Sequence, residues 1–302
     1  MTARASLRTF DKIAFNKEFD IKDTIMITGA PRSGTTWLME ILGGIPGYTS
    51  LFEPLNPYCF PQAKEAGFKL RSYMLSGHKD KKMYKYMFEV LTGKITSLYP
   101  WYRFNFTNLM NRIYSKKLLV KFVRANRLLP WMSEKFDLRL ILFIMRHPFA
   151  VISSQINTGF TGYNEEDGID AIPDKNMLLN ELKTLNINDK NIIHNIENIR
   201  TKEERLAFVW CLDHYVPYKY NTNKWITIKY EDMLNSSGDL VYDLFNKIGE
   251  ENHFNTVVRK IPVKSFTTIK RREELSQVQK DRVSEVLSLF SFYVDEDDYG
   301  FE

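Results

Sequence analysis

A glycine-rich loop near the start of the chain combines residue types that bind phosphate. Residues 29–36 read GAPRSGTT and lie between a strand-like run and a helix-like stretch. A loop in this position presents backbone N–H groups and the positive end of a helix dipole to an anion. One guanidinium and three hydroxyls add donors: Arg32, Ser33, Thr35 and Thr36. The pattern predicts a phosphate site, and a tight glycine turn without a ligand is the alternative.

The loop departs from the loop of nucleoside triphosphatases at one position. That loop reads G-x-x-x-x-G-K-[ST], and here Thr35 stands where the lysine would be. Arg32 is the only side chain between Gly29 and Thr36 with a fixed positive charge. We therefore expect the loop to hold a nucleotide other than an ordinary triphosphate.

A second group of phosphate ligands follows the apolar run 139–145. The run is followed by Arg146, where a nucleoside triphosphatase usually has the aspartate that holds Mg²⁺. Ser154 comes eight positions later, on a helix that Pro148 is predicted to begin, and His147 is expected to orient the strand end. An arginine and a hydroxyl so placed predict a second phosphate site. For Arg146 taken alone, a surface ion pair is the alternative.

Together these motifs resemble those of the sulfotransferases. PRSGTTWL resembles their 5′-phosphosulfate loop, Arg146 with Ser154 resembles their 3′-phosphate site, and the tyrosine of YEDM matches one near the adenine. The resemblance covers about residues 24–235. It implies 3′-phosphoadenosine 5′-phosphosulfate (PAPS) as donor, adenosine 3′,5′-bisphosphate (PAP) as product, and no required metal. The implied donor-binding residues are Arg32, Ser33, Gly34, Thr35, Thr36, Trp37, Arg146, Ser154 and Tyr230.

The same resemblance implies further site residues, each with an alternative. Lys121 matches a lysine that lies near the transferring sulfonate in the family, or it is a solvated lysine at a strand edge. Trp37 stacks near the nucleotide or belongs to the core. A late basic loop that touches the 3′-phosphate in some members is matched by Lys270, Arg271 and Arg272, which otherwise form a solvated charged face.

The expected general base separates this chain from the best-known cytosolic sulfotransferases. Those enzymes have a histidine two residues after the lysine that Lys121 matches, and here that residue is Val123. Residues 52–54, FEP, resemble instead a segment of carbohydrate and bacterial sulfotransferases whose glutamate is a proposed base. We therefore expect Glu53 to be the base, with helix capping or ion pairing as its alternative. His214 is the second candidate.

The expected reaction is in-line transfer of a sulfonate to a hydroxyl, or an amine, of a sugar or another small molecule. Arg32, Lys121 and the loop amides would offset charge on the leaving phosphate and sulfonate oxygens, while Glu53 removes the proton. The FEP segment favours a sugar, whereas the aromatic-rich residues 84–106 fit a flat or lipophilic acceptor equally well.

Two rival functions remain open at this point. One is a P-loop kinase or triphosphatase acting on a small molecule. The other is a non-catalytic protein that binds a nucleotide, or that grips nucleic acid through the basic residues 79–85 and 271–272. Many acidic residues accompany these basic ones, so we expect no nucleic-acid partner.

The alternation of strand-like and helix-like runs predicts the fold. Continuous apolar runs suit strands buried on both faces of a parallel sheet, and they occur at 24–28, 118–123, 139–145 and 225–230. We expect a three-layer α/β/α domain of the P-loop NTPase-like sulfotransferase type spanning residues 1–302. A mainly helical insertion is predicted at about 60–115, a long loop or lid at about 160–198, and a last helix within 273–290.

Composition sets broader limits. The chain has 302 residues, 44% of them hydrophobic and 26% charged, with a formal net charge of +5, which is typical of a globular domain with a full core. Cys59 and Cys211 are too few for a disulfide framework and lack metal-ligand spacing. The first residues lack the apolar segment of a secretory signal, and the run 140–145 is too short to span a bilayer. We expect a cytoplasmic protein without a membrane span; the sequence leaves its oligomeric state open.

Overall fold

The central feature of the fold is a sheet of five parallel strands. The structure is a computed structural model that describes residues 17–94, 113–161, 172–221, 223–235, 238–258, 274–295 and 297–301. The strands are β1 Thr24–Gly29, β2 Tyr48–Phe52, β3 Lys117–Phe122, β4 Leu140–Met145 and β5 Ile226–Lys229. Their order across the sheet is β2-β3-β1-β4-β5.

Helices connect the strands. Those before β5 are α1 Thr35–Gly43, α2 Pro61–Glu65, α3 Lys81–Leu91, α4 Leu129–Lys135, α5 Pro148–Thr158, α6 Lys175–Thr184, α7 Lys190–Asn198 and α8 Lys202–Lys219. After β5 come α9 Tyr230–Asn235, α10 Asp239–Lys247, α11 Phe254–Val258 and α12 Gln277–Ser288, then the antiparallel strands β6 Phe292–Val294 and β7 Tyr299–Phe301. Among the described helices, none has both the length and the apolar content of a membrane span.

Alternate residues of the central strands pack into different hydrophobic clusters. Ile25 and Ile27 of β1 lie in a cluster with residues of α1 and α10, whereas Met26 lies in a cluster with residues of α4 and α8. Side chains in a strand alternate between its faces, so helices cover both sides of this sheet. The predicted three-layer α/β/α fold with a parallel sheet is confirmed.

Strand β2 was not among the predicted strands. Its sequence YTSLF is not a continuous apolar run, and Ser50 in its middle is exposed. The strand lies at an edge of the sheet, where an exposed polar residue is tolerated because one side is open to water. Its position matters for the site, because Glu53 follows its last residue directly.

Two helices occupy part of the segment for which polar composition predicted a long loop. Within 160–198, α6 and α7 are helical, while 162–171 lies outside the described residues. The long-loop interpretation is wrong for α6 and α7, because each buries two apolar residues four apart: Leu178, Leu182, Ile192 and Ile196. The lid role, the single-domain organisation and the insertion at 60–115 stay predictions; α2 and α3 lie in that insertion, and 95–112 is not described.

Candidate functional site

The predicted site residues come from the carboxyl ends of all five central strands. Glu53 follows β2, Lys121 is near the end of β3, the loop follows β1, Arg146 follows β4 and Tyr230 follows β5. Parallel strands end at one edge of the sheet, and open α/β folds bind ligands at that edge. The strand order therefore sets Glu53 and Lys121 on one side of the loop, and Arg146 and Tyr230 on the other.

The loop ends at the N-terminus of α1, which no side chain of the N-cap residue caps. Gly34 is the N-cap residue of α1, with φ 93°, and offers no side-chain cap. The first N–H groups of a helix, here those of Thr35 and Thr36, have no acceptor within the helix. Ser33 donates its N–H to the carbonyl of Ala30 at 3.1 Å, while its buried hydroxyl has no hydrogen-bond partner in the described structure. Such a turn fits an anion, because the N–H groups of Thr35 and Thr36 and the hydroxyl of Ser33 can donate to it.

Tyr230 packs directly on the loop. A Cβ added to Gly34 would lie 2.4 Å from Cδ2 of Tyr230, so only glycine fits between this ring and the turn. Trp37 meets the same ring edge-on, with 5.4 Å between centroids, and is buried in the cluster beside α1. This burial agrees with the core alternative for Trp37; a contact with nucleotide stays a prediction.

Arg32, Arg146 and Ser154 lie together. The Nε of Arg32 donates to Oγ of Ser154 at 2.8 Å, and Arg146 donates from a terminal guanidinium nitrogen to the carbonyl of Arg32 at 3.2 Å. The guanidinium of Arg146 also lies 4.8 Å from the centroid of the Tyr230 ring, and its Nε is 3.9 Å from a carboxylate oxygen of Glu231. The two phosphate sites predicted separately are thus adjacent and share hydrogen bonds.

Glu53 is the centre of a buried ion cluster. Its Oε1 accepts from Nζ of Lys121 at 2.5 Å, and its Oε2 accepts from the N–H of Val123 at 3.0 Å and from Arg124 at 3.4 Å. Glu53 is 4% exposed and Lys121 3% exposed, so the alternative of a solvated lysine is wrong. The ion pairing considered as an alternative for Glu53 is observed. Val123, at the position of the missing histidine, contributes a backbone donor.

Arg124 was missed by the sequence interpretation. It lies just beyond β3, is 5% exposed, and supplies the second cation next to Glu53. The available signal was its spacing: Lys121 and Arg124 bracket the strand end in KFVR. A cation buried next to the end of a strand, such as Arg124, needs an acidic partner, because burying an unpaired charge is costly.

Arg32 and Glu53 both adopt backbone conformations that L-residues avoid. Their φ angles are 75° and 53°, in the left-handed region. Such a conformation costs roughly 1–3 kcal/mol and persists where the surrounding structure fixes it, which occurs often at functional sites. The strain falls on the two residues predicted to carry charge and to accept the proton.

The two histidines considered earlier have different environments. His214 is buried in α8, where its Nδ1 lies 2.6 Å from the carbonyl of Trp210 and its ring stacks on that indole at 3.9 Å. Burial lowers the pKa of His214 to about 4. His147 is the N-cap of α5 and accepts the N–H of Phe149 at 3.3 Å. The predicted basic residues Lys270, Arg271 and Arg272 lie outside the described residues.

Replacing Gly34 by alanine is expected to destabilise the protein more than the same change at Gly77. Both glycines have positive φ, 93° and 88°, but a Cβ at Gly77 meets nothing within 4 Å. The left-handed conformation costs alanine about 1–2 kcal/mol at both positions, and the clash with Tyr230 adds about 1–3 kcal/mol. Urea unfolding of G34A and G77A measures the difference; equal losses would contradict a constraint from Tyr230.

The sulfotransferase family model matches residues 24–253. No curated protein matches the chain. Among solved structures, the chain is similar to the sulfotransferase domain of the Synechococcus PCC 7002 olefin synthase, with 14% identity, a TM-score of 0.41, and 90% of this chain and 98% of that chain covered. It is also similar to sulfotransferase STF9 from Mycobacterium avium, with 11% identity, a TM-score of 0.42, and 95% and 80% covered. Because the family model spans most of its length, this chain belongs to the sulfotransferase family.

Proposed function

We propose that the chain transfers a sulfonate from PAPS to a hydroxyl or amine of a small molecule or sugar. The observation that carries the proposal is the adjacency of two groups of hydrogen-bond donors suited to phosphate: an uncapped glycine-rich loop with Arg32, and Arg146 with Ser154 beside it. PAPS carries phosphate at both the 5′ and 3′ positions, which corresponds to two such groups of donors. Family membership supports the same activity.

The residues present fit this donor. The unpartnered hydroxyl of Ser33 and the first-turn amides of α1 supply donors for a 5′-phosphosulfate. Arg146 and Ser154 form the proposed 3′ site, because a guanidinium can donate two parallel hydrogen bonds to the oxygens of one phosphate. When bound, PAPS supplies an activated sulfonate group. Arg32 would then offset negative charge near the 5′-phosphosulfate. Tyr230, which packs on Gly34 of the loop, would lie on the side of the adenine.

Glu53 and Lys121 lie on the acceptor side in this proposal. A carboxylate oxygen has about two lone-pair directions, and Oε1 of Glu53 accepts one hydrogen bond among the described residues, from Lys121. The remaining direction can take a proton from the acceptor hydroxyl. Lys121 stays close enough to stabilise negative charge on the transferring group, because the same hydrogen bond fixes its position.

We favour Glu53 over His214 as the base. His214 has no exposed surface, and its ring contacts the Trp210 indole and Phe143, both of which are buried in the hydrophobic core. A base must come within hydrogen-bond distance of the proton that it removes, directly or through one water. Glu53 is at the carboxyl edge of the sheet, where the proposed donor site is, and His214 is in the middle of α8.

A transfer assay tests the function directly. Labelled PAPS is incubated with a panel of sugars, phenols, alcohols and amines, with and without a metal chelator. We expect transfer to at least one acceptor class, formation of PAP, and no effect of the chelator. Turnover of ATP that requires Mg²⁺, without any transfer from PAPS, would instead support the kinase or triphosphatase.

Replacing Arg146 by alanine is expected to weaken PAP binding by about 10- to 100-fold, the range for a hydrogen bond to a charged group. Adenosine 5′-monophosphate lacks the 3′-phosphate, so its affinity should change little. Calorimetric titration of both nucleotides on wild type and R146A measures the difference. Equal affinity of R146A and wild type for PAP would remove Arg146 from the 3′ site.

A further inference from the structure

The β6–β7 hairpin packs against α8 and the end of β5. Phe292 of β6 meets the Trp210 indole edge-on at 5.2 Å, and Phe301 of β7 stacks on Tyr218 at 5.4 Å, both on α8. The Nζ of Lys229, at the end of β5, lies 2.6 Å from a carboxylate oxygen of Asp298. The hairpin is therefore anchored beside the carboxyl ends of β4 and β5.

Glu231 is the junction between this hairpin and Arg146. Its Oε2 accepts the hydroxyl of Tyr299 at 2.8 Å. Its Oε1 accepts the N–H of His147 at 3.1 Å and lies 3.9 Å from Nε of Arg146. One carboxylate oxygen thus faces the hairpin, and the other faces the arginine. A change in the hairpin contact would therefore shift the carboxylate that forms an ion pair with the guanidinium.

The Tyr299 hydroxyl is suited to hold Glu231. The residue is 1% exposed. Burial, and then the Glu231 carboxylate, raise the pKa of Tyr299 well above its ordinary value, so the phenol stays protonated and donates at neutral pH. A buried donor with a charged acceptor makes a directional contact that water does not replace.

His147 provides a second link to the hairpin. Its Nδ1 accepts the N–H of Phe149, so the ring proton is on Nε2, which donates to the carbonyl of Asp295 at 2.8 Å. His147 is the N-cap of α5, the helix that carries Ser154. Both proposed ligands of the 3′-phosphate, Arg146 and Ser154, therefore belong to segments that the hairpin braces.

We propose that the β6–β7 hairpin sets recognition of the 3′-phosphate, with Tyr299 as a positioning residue that acts through Glu231 on Arg146. The inference rests on the proposed function, because it assigns a 3′-phosphonucleotide to Arg146. It adds a residue distant in sequence, which touches no nucleotide, to the determinants of nucleotide choice. Loss of the Tyr299 hydroxyl removes one of the described hydrogen bonds to the Glu231 carboxylate and leaves the one from the His147 N–H. The carboxylate can then turn about the remaining bond, and Arg146 loses a fixed partner for its orientation toward the phosphate.

The test uses two matched variants of the full chain, Tyr299→Phe and Tyr293→Phe. The hydroxyl of Tyr293 also donates to a carboxylate, that of Asp298 at 3.0 Å, but not to Glu231. Calorimetry gives the affinities for PAP and for adenosine 5′-monophosphate, and their ratio reports recognition of the 3′-phosphate. We expect Y299F to lower this ratio about threefold to tenfold, as for one lost hydrogen bond, and Y293F to leave it unchanged.

A structural role alone would give a different result. If Y299F weakens both nucleotides equally, or if neither affinity changes, the inference is wrong. Thermal unfolding and the retained affinity for adenosine 5′-monophosphate show whether the variant is folded. In an R146A background, Y299F should give no further change in the ratio, because residues that act in sequence are not additive.

The same titrations separate this inference from the proposed function. If R146A lowers the ratio and Y299F does not, the 3′ site stands and the hairpin role is overturned. If R146A leaves the ratio unchanged, the assignment of the 3′-phosphate to Arg146 fails, and the hairpin role fails with it.

Discussion

Replacing Arg32 by alanine should lower the turnover number about 10²–10³-fold, the usual effect of removing one well-placed donor from a developing charge. Within the loop Arg32 is the only fixed cation, because Thr35 stands where a triphosphatase would have lysine. Its Nε donates to Ser154 at 2.8 Å, and its carbonyl accepts from Arg146 at 3.2 Å. The hydrogen bond from Arg146 to the backbone carbonyl of residue 32 can still form in R32A. We therefore expect the variant to lose the positive charge of the loop while Arg146 keeps its position.

The measurements are steady-state transfer kinetics, which give kcat and kcat/KM, and PAP affinity. We expect kcat and kcat/KM to fall by similar factors, since an interaction made mainly in the transition state affects both. Arg139→Ala is the matched control: it removes an arginine that pairs with Asp23 at 3.2 Å near the opposite ends of the strands. A kcat of R32A close to that of the wild type, or an equal loss in R139A, would contradict the proposed role.

Ser154 gives an internal check on the same prediction. If Arg32 holds Ser154 in place for the 3′-phosphate, S154A and R32A should be coupled in PAP affinity, and the double variant should lose less than the sum of the two. Simple additivity would mean that the hydrogen bond between them does not contribute to nucleotide binding.

Strands β1, β3 and β4 could be predicted because they are short, mostly apolar runs that are buried along almost their whole length, as expected of strands covered on both faces. Strand β5, at the other edge of the sheet, was predicted although Thr227 is exposed, because Ile226 and Ile228 keep its apolar character. Strand β2 could not be predicted, because it lies at an edge and tolerates Ser50. Polar composition predicted a loop where α6 and α7 form. Four buried aliphatic residues, two in each helix, are enough to pack these mainly polar helices against the core. The local sequence pattern identifies an element that is buried along its whole length. It fails to identify an element that is held in place by only a few buried side chains.

The candidate site shows the same limit at the level of side chains. Motif spacing predicted that Arg32, Arg146 and Ser154 serve phosphate, but their mutual hydrogen bonds depend on how β1 and β4 are paired. The spacing in KFVR could have pointed to Arg124, but its pairing with Glu53 was not predictable from a motif, since the two residues are 71 positions apart. The contact of Tyr299 with Glu231 spans 68 positions and depends on the packing of the hairpin on α8. Long-range pairs of this kind leave no periodic signal in the sequence.

The second large effect is expected for Glu53→Gln, which should lower turnover by about 10²–10⁴-fold, the contribution of a general base. Glutamine keeps the size of the side chain and an oxygen that can accept from the Val123 N–H, so only the proton acceptor and the charge are lost. PAP affinity should stay within a few-fold of the wild type, since the strand order sets Glu53 on the opposite side of the loop from Arg146 and Tyr230.

The charge also has a structural role that the experiment must separate. Lys121 and Arg124 remain buried without their carboxylate in E53Q, and breaking a buried pair costs about 3–5 kcal/mol of stability. Glu203→Gln is the control for a buried carboxylate away from the loop, because Glu203 is also buried and pairs at 2.8 Å with Arg282, whose side chain is 41% exposed. We therefore expect E203Q to lose less stability than E53Q. Chemical unfolding compares the stability losses of the two variants; only E53Q should also lose turnover.

Acceptor acidity distinguishes a base from a residue that only holds Lys121. An acceptor hydroxyl that is already ionised at the assay pH has no proton to remove, so E53Q should recover most of its rate with a strongly acidic phenol relative to an alcohol. If E53Q loses the same factor with both acceptors, Glu53 acts by positioning the Lys121 ammonium. In that case K121M, which removes the ammonium, should show the same loss of turnover as E53Q. If Glu53 is instead the base, the loss of turnover in K121M should be the same for the phenol and for the alcohol.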